Sequence, residues 1–412
     1  MRTHTQKELG VFSLPVIVGA LGFFVDVYDL LLFSIVRKPS LESLHLSADQ
    51  VLSKGELIIS VQMIGLMVGG VFWGIMGDKK GRLSVLFGSI LLYSLANIAN
   101  GMVQTVGQYT LMRFIAGVGL AGELGASITL VSEMLPKEKR GIGATIIASV
   151  GVFGAVTAFF VYQAFQDWRL CYYIGGGMGL LLLLLRANVI ESGMFDVVKK
   201  TAVVRGNFLM LFNNKERLMR YVKGVVIGLP VWYVIGILIT FSDKFGTEFG
   251  IAGVNPGKAI MYQYVAIGLG DLSAGLLSNY LKSRKKTLFI FLSILAVFIV
   301  LYFSQSSGWG STTSMYMICA GLGFGAGFSV LYITMSAEQF GTNLRASTAI
   351  SIPNVVRGIL PLIILLHKGL RSITGNYVTG GWMTGIFIML IAVIAAYHTK
   401  ETFGRDLNFV EE

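Results

Sequence analysis

The stretch GIMGDKKGR, residues 74–82, sets the reading of the whole chain. It ends one long apolar run and begins another, and packs an acid and three bases into the turn between them. About 20 apolar residues rising 1.5 Å each cross the hydrocarbon core of a bilayer. The stretch is therefore a short polar turn at one membrane surface. A related stretch, GLLSNYLKSRKK at 275–286, stands 201 residues later, again with Gly, three residues, Asp or Asn, and a basic turn. A second match follows. SEMLPKEKRG (132–141) and AEQFGTNLRA (337–346) each place Glu seven residues before Arg, as Glu133–Arg140 and Glu338–Arg345, at an offset of 205. Two matches at nearly one offset imply a duplicated six-helix unit, with two halves that rock around a central site.

The composition agrees. Of 412 residues, 54% are hydrophobic and 13% charged, where soluble domains carry about a quarter charged residues and disordered chains carry more. The 51 glycines come with only seven prolines, which excludes a collagen or a proline-rich linker. Twelve candidate spans are expected, at roughly 11–36, 55–77, 83–103, 107–134, 141–165, 169–187, 221–242, 258–280, 286–305, 311–338, 346–367 and 377–398. The expected fold is thus an all-α membrane protein with twelve transmembrane helices in two six-helix bundles, 1–187 and 221–412. The polar, basic stretch 188–220 joins them as a cytoplasmic linker lying on the inner leaflet. The polar N-terminus MRTHTQKELG leads directly into a long apolar run, so the first helix is read as a span and not as a signal peptide.

The net charge of +11 belongs to topology and not to nucleic acid. With the N-terminus inside, eight of the 33 Lys and Arg fall on the outer side (Arg37, Lys38, Lys54, Arg169, Lys244, Lys258, Lys368, Arg371). Two lie within spans (Arg113, Arg357), and 23 are left on the inner side. This bias predicts a multi-pass protein of the cell membrane with both termini cytoplasmic. Cys171 and Cys319 lie in apolar runs, and the four histidines are scattered, so neither a disulfide framework nor a metal or other cofactor is expected. GLGFGAGF (321–328) sits in an apolar run with no strand before it and reads as close helix packing, not a dinucleotide loop. No catalytic constellation is present, so no enzyme is expected.

Gly74, Asp78, Lys79, Gly81 and Arg82 resemble the loop 2–3 signature of the major facilitator superfamily, and Arg113, Gly117, Gly119 and Gly122 look like its helix 4 signature. The resemblance covers the whole chain. It implies that Asp78, Arg82, Glu133, Arg140, Glu338 and Arg345 form a latch on the inward gate. GFFVDVYDL (22–30), GLAGELGAS (119–127) and SEMLPKEKRG look most like the proton-linked metabolite, phosphate and sugar symporters. GVFGAV (151–156) lacks the Gly-Pro usual in helix 5 of drug antiporters.

Six charges lie within apolar spans: Asp26, Asp29, Arg113, Glu123, Asp271 and Arg357. Each costs roughly 2.5–3.5 kcal/mol near a helix centre, together about 15–20 kcal/mol if unpaired and dry. They must face a wet cavity or one another. Asp29 lies about 10 Å below the outer end of helix 1, and Arg113 about 9 Å below the outer start of helix 4. They share a level and are read as the proton-coupling pair, with Asp26 on the same face as a second acid. The position of Asp29 also matches the proton-carrying aspartate of similar symporters. Glu123 lies deeper; its context resembles an acid tied to proton release, and a structural bond to a neighbouring helix is the alternative. Arg357 sits near the midplane between Pro353 and Pro361, either clamping an anion bidentately or bridged to Asp271. Asn354, Asp271, Trp232, Tyr233 and Gln163 complete the expected substrate site.

The expectation is a monomeric secondary transporter in the lipid bilayer. It would import a small anionic or zwitterionic metabolite, such as an amino acid or organic acid, with protons. Phosphate or sugar symport and proton-linked efflux are the alternatives.

Overall fold

The structure, a computed structural model, describes residues 10, 12–135, 137–186, 208–341, 343–405 and 409–411. Among these residues it is all-helical. Span 1 is Leu14–Ser43, span 2 Ala48–Lys80, span 3 Arg82–Gly101, span 5 Lys137–Phe165 and span 6 Trp168–Arg186. Span 8 is Pro256–Tyr280, span 9 Arg284–Ser304 and span 12 Tyr377–Tyr397. Span 7 runs from Lys215 to Tyr233 and continues as a π-helical turn over Val234–Ile239; the short helix Ser242–Glu248 follows it.

The remaining three spans are broken. Span 4 is Val106–Leu120 followed by Glu123–Met134, span 10 is Thr312–Ala326 followed by Ser329–Glu338, and span 11 is Arg345–Gly358 followed by Leu360–Thr374. The expected unbroken helix over 107–134 is thus corrected: it stops immediately before Glu123. Gly122 and Gly327, in the breaks of spans 4 and 10, stand 205 residues apart, the offset of the sequence repeat. The same offset relates Tyr28 to Tyr233. The Tyr28 hydroxyl donates to the Cys171 carbonyl (2.9 Å), and the Tyr233 hydroxyl to that of Gly381 (2.7 Å). In each half, one tyrosine pins the first helix to the sixth.

Polar side chains start the helices where the sequence supplies them. Thr105 accepts from the Gln108 amide, Asn255 from Lys258, Ser283 from Lys286 and Asn376 from Thr379. Each satisfies an amide that the first helical turn leaves free. Asn214 does the same for Glu216 and Arg217. Residues 215–220 therefore belong to the seventh helix and not to the linker expected over 188–220, of which 188–207 lie outside the described residues. In GLGFGAGF, Gly323 presses against the backbone of Gln263 on span 8, where a Cβ has no room. This is the close packing expected of that stretch. The two halves meet along span 2 with span 11 and span 5 with span 8.

Candidate functional site

Span 1 carries Gly22, Asp26 and Asp29 along one side, because residues four and three apart on a helix share a face. The three stand on successive levels spanning about 10 Å, and each meets a different part of the charge network.

At the outermost of these levels, Arg113 holds Asp29 in a two-pronged pair, Nη1 to Oδ1 and Nη2 to Oδ2, both at 3.1 Å. Both side chains are fully buried. The guanidinium lies 5.1 Å from the centre of the Tyr172 ring, and the Tyr172 and Tyr109 hydroxyls share a 2.8 Å hydrogen bond. This is the pair expected from helix depth.

At the innermost level, Glu123 is bound just as tightly, to a residue the sequence reading set aside. Arg186 Nη1 donates to Glu123 Oε1 (2.8 Å) and Nη2 to Oε2 (2.6 Å), and both residues are fully buried. Arg186 Nη1 also donates to the Leu86 carbonyl (2.7 Å), and the Ser89 hydroxyl to Glu123 (3.0 Å). Arg186 had been counted among the inner-surface charges. The helix break at Ala121–Gly122 frees span 4 to turn Glu123 inward, and Gly22 leaves room for the pair. A Cβ there would collide with the Arg186 guanidinium and lie 2.6 Å from Glu123 Oε2.

Between these pairs stands Asp26, fully buried, with neither carboxylate oxygen hydrogen-bonded. Arg357 comes from the other half. Its Nη1 donates to Asn354 Oδ1 (3.2 Å), its guanidinium carbon lies 5.6 Å from the centre of the Trp232 ring, and its Nε has no hydrogen-bond partner. Asn354 donates to the carbonyl of Ala121 in the span 4 break (2.8 Å). Arg357, Asn354 and Trp232 thus come together as expected.

Other expected substrate residues do not join them. Asp271 is not bridged to Arg357. It accepts from the Ser329 hydroxyl (2.9 Å) and the Val330 amide (3.2 Å), capping the second segment of span 10, where a helix N-terminus favours an anion. Tyr233 spends its hydroxyl on Gly381. Gln163 is exposed near the end of span 5.

Of the expected latch, the side chains of Asp78, Arg82, Glu133 and Arg140 lie outside the described residues. Glu338 accepts from Arg284 Nη2 (3.2 Å) and from the Thr402 hydroxyl (2.6 Å), all within the second half. Arg284 Nη1 also reaches Asn279, the repeat counterpart of Asp78, at 3.5 Å. Arg345 opens the inner segment of span 11 and is half-buried.

The opposite end holds ion pairs that the sequence reading used only to fix orientation. Arg37 binds both oxygens of Asp243 at 3.1 Å, joining span 1 to the short helix that follows span 7. Buried Glu56 of span 2 meets Lys368 (2.5 Å) and Arg371 (3.7 Å) of span 11, beside a cavity of about 610 Å³. A second cavity, about 570 Å³, opens at the other end of the bundle between Lys215, Arg220 and Arg405. Neither is lined by Asp26 or Arg357. Asp26, Asp29, Arg113, Glu123, Arg186 and Arg357 are all buried inside the bundle.

The sequence profile described as the Major Facilitator Superfamily matches residues 19–364. The niacin transporter of Acinetobacter baylyi is 26% identical, the match covering 97% of this chain and 96% of that protein. The cis,cis-muconate transport protein of the same organism is 25% identical over 97% and 95%, and its benzoate transport protein 24% identical over 81% and 78%. Among solved structures, the proton:xylose symporter XylE bound to 6-bromo-6-deoxy-D-glucose superposes with a TM-score of 0.72, at 17% identity over 96% and 97% of the two chains. The profile spans far more than half of the sequence, and the duplicated fold extends along nearly all of it: the chain belongs to the Major Facilitator Superfamily, a family of membrane transporters and not of enzymes.

Proposed function

We propose that this transporter imports a small organic carboxylate together with protons across the cell membrane, with both termini in the cytoplasm. One observation carries the reading: Arg357, a buried guanidinium, has no ion-paired acid among the described residues and lies 5.6 Å from the centre of the Trp232 ring. A guanidinium with donors to spare binds a carboxylate two-pronged, and aromatic rings suit a flat, unsaturated body. Relatives named for niacin, benzoate and cis,cis-muconate transport support an organic acid over an amino acid. The acids Asp26, Asp29 and Glu123, with Arg113 and Arg186, supply the proton site.

Symport of one proton with a monoanion moves no net charge. The pH gradient then drives it, tenfold per pH unit or about 1.4 kcal/mol. The test is uptake of radiolabelled nicotinate and benzoate into proteoliposomes with an alkaline interior. Accumulation abolished by a protonophore is expected. Uptake indifferent to the gradient, or uptake of leucine in place of both acids, overturns the reading. Arg357→Lys should weaken nicotinate binding at least tenfold, read by ligand-dependent tryptophan fluorescence, because a single ammonium replaces a two-pronged donor.

A further inference from the structure

We infer that the cavity of about 570 Å³ between the start of span 7 and the segment after span 12 binds the phosphate group of an anionic phospholipid. The site lies apart from the central charges, and the inference does not depend on the cargo.

Five bases line this cavity, Lys215, Arg220, Lys223, Lys400 and Arg405, against one acid, Glu216. Span 7 supplies the first three from one side, since Lys215, Met219 and Lys223 recur every four residues and Arg220 adjoins Met219. Lys400 and Arg405 follow the end of span 12 at Tyr397, and span 12 packs beside span 7. Lys223 ties the two together by donating to the His398 carbonyl (2.9 Å).

Most of the acids nearby are spent on other groups. Glu411 accepts from Arg220 Nη1 and Nη2, both at 3.0 Å, and Asn343 fixes it by exchanging two hydrogen bonds with its main chain (2.9 and 3.0 Å). Glu338 is taken by Arg284 and Thr402. Glu401 is taken by the Ser283 hydroxyl and the Arg284 and Lys285 amides. Lys215, Lys400 and Arg405 have no ion-paired acid among the described residues. Setting Glu216 and Glu411 against the five bases leaves three positive charges in excess around one hollow. Arg220 shows what these groups accept: an oxyanion held two-pronged. Its Nε is buried and has no partner.

Place favours a lipid over a soluble phosphate. Met219 lines the cavity, and Met219, Val222 and Tyr397 are exposed on the same two helix ends. Bases whose stems lie along such a surface hold their charges at the level of the lipid headgroups. A phosphodiester seated between Lys215, Lys400 and Arg405 leaves its acyl chains to run along Val222 and Tyr397. It then joins span 7 to span 12 beside the link that Lys223 already makes.

The test titrates the full-length protein, stripped of lipid in a neutral detergent, with phosphatidylglycerol and counts bound lipid by native mass spectrometry. Phosphatidylglycerol should be retained at least tenfold more tightly than phosphatidylcholine. The combined variant Lys215→Gln, Lys400→Gln and Arg405→Gln should lose at least tenfold in that affinity, since each base beside an anionic headgroup is worth about fivefold. All three side chains are exposed, so their exchange leaves the packing untouched. The control, Lys282→Gln with Lys286→Gln, removes two exposed bases outside the cavity and should change nothing. Retention that survives the triple variant, or an equal loss in the control, overturns the site. Inorganic phosphate in about a hundredfold excess should leave the lipid in place. Displacement by inorganic phosphate at equal concentration assigns the cavity to a soluble phosphate compound and overturns the lipid. The melting midpoint of the unaltered protein depends on no variant. It should rise with phosphatidylglycerol and not with phosphatidylcholine, and an equal response to both lipids overturns the proposal.

Discussion

Arg186 shows how a single residue escapes a sequence reading. It ends an apolar run, where a basic side chain normally reaches out to the membrane surface, and it was counted accordingly. Here it turns back into the bundle to pair with Glu123. Breaking a buried pair by neutralising one partner costs about 3–5 kcal/mol, whereas replacing both with apolar groups costs much less. Glu123→Gln should therefore lower the thermal midpoint in detergent sharply, and Glu123→Leu with Arg186→Met should recover most of the loss. If the double variant is no better than the single, loss of the Glu123–Arg186 pair is not the cause of the destabilisation. Gly22→Ala places a methyl group against this pair. Overpacking of that kind costs about 1–3 kcal/mol, which should appear in the same melting experiment. Asp29 and Arg113 were legible beforehand because helix rise is constant: counting residues from two helix ends puts them on one level. The partner of Glu123 was not, because depth says nothing about which way a side chain at a helix end will turn.

Breaks and caps decide what the helices present. The break in span 10 lies in a glycine-rich stretch that reads in the sequence as packing, and its counterpart in span 4 lies in one that resembles the family's helix 4 signature. At one break Glu123 turns inward; at the other Asp271 caps the new helix start. A capping aspartate and a substrate-binding aspartate look the same in an apolar run, since both appear as one buried acid. At the start of span 9, Glu401 acts as a cap. Partial burial works against its charge, but hydrogen bonds from Ser283 and from the Phe403, Arg284 and Lys285 amides outweigh this and hold its carboxyl down to about 2. A carboxylate with a lowered folded value contributes fully above its ordinary range near 4.5, and the contribution fades as the pH falls toward about 2. Glu401→Gln should thus destabilise the protein by about 0.5–2 kcal/mol at pH 7. The difference from the unaltered protein should shrink at pH 3, as measured by thermal unfolding at both values.

On the scale of the whole molecule, the two halves are tied at both ends around the central charges. At one end the ties are ionic, Arg37 to Asp243 and Glu56 to Lys368 and Arg371. Towards the other Asn354 bonds to the Ala121 carbonyl. Partly exposed pairs contribute up to about 1 kcal/mol, roughly fivefold in a population. Glu56→Gln should accordingly raise the labelling rate of a cysteine placed at Leu52, which is half-buried and lines the cavity beside Glu56, by up to about fivefold with a water-soluble maleimide. The native Cys171 and Cys319 are buried and stay silent. An unchanged rate would show that these ionic contacts do not hold that end shut.

The crossings, the duplication and the presence of charges in the apolar interior were all set by the linear sequence. Hydrophobic length, repeat spacing and helix rise are properties along one axis, and no folded neighbour is needed to read them. Partner choice belonged to the tertiary structure: Arg186 for Glu123, a helix start for Asp271, Glu56 against Lys368 and Arg371, and no bond at all for Asp26. Those outcomes depend on how each helix is rotated about its axis and which helix packs beside it, often from residues more than a hundred positions away. A one-dimensional pattern carries depth, and only packing in three dimensions converts depth into contact.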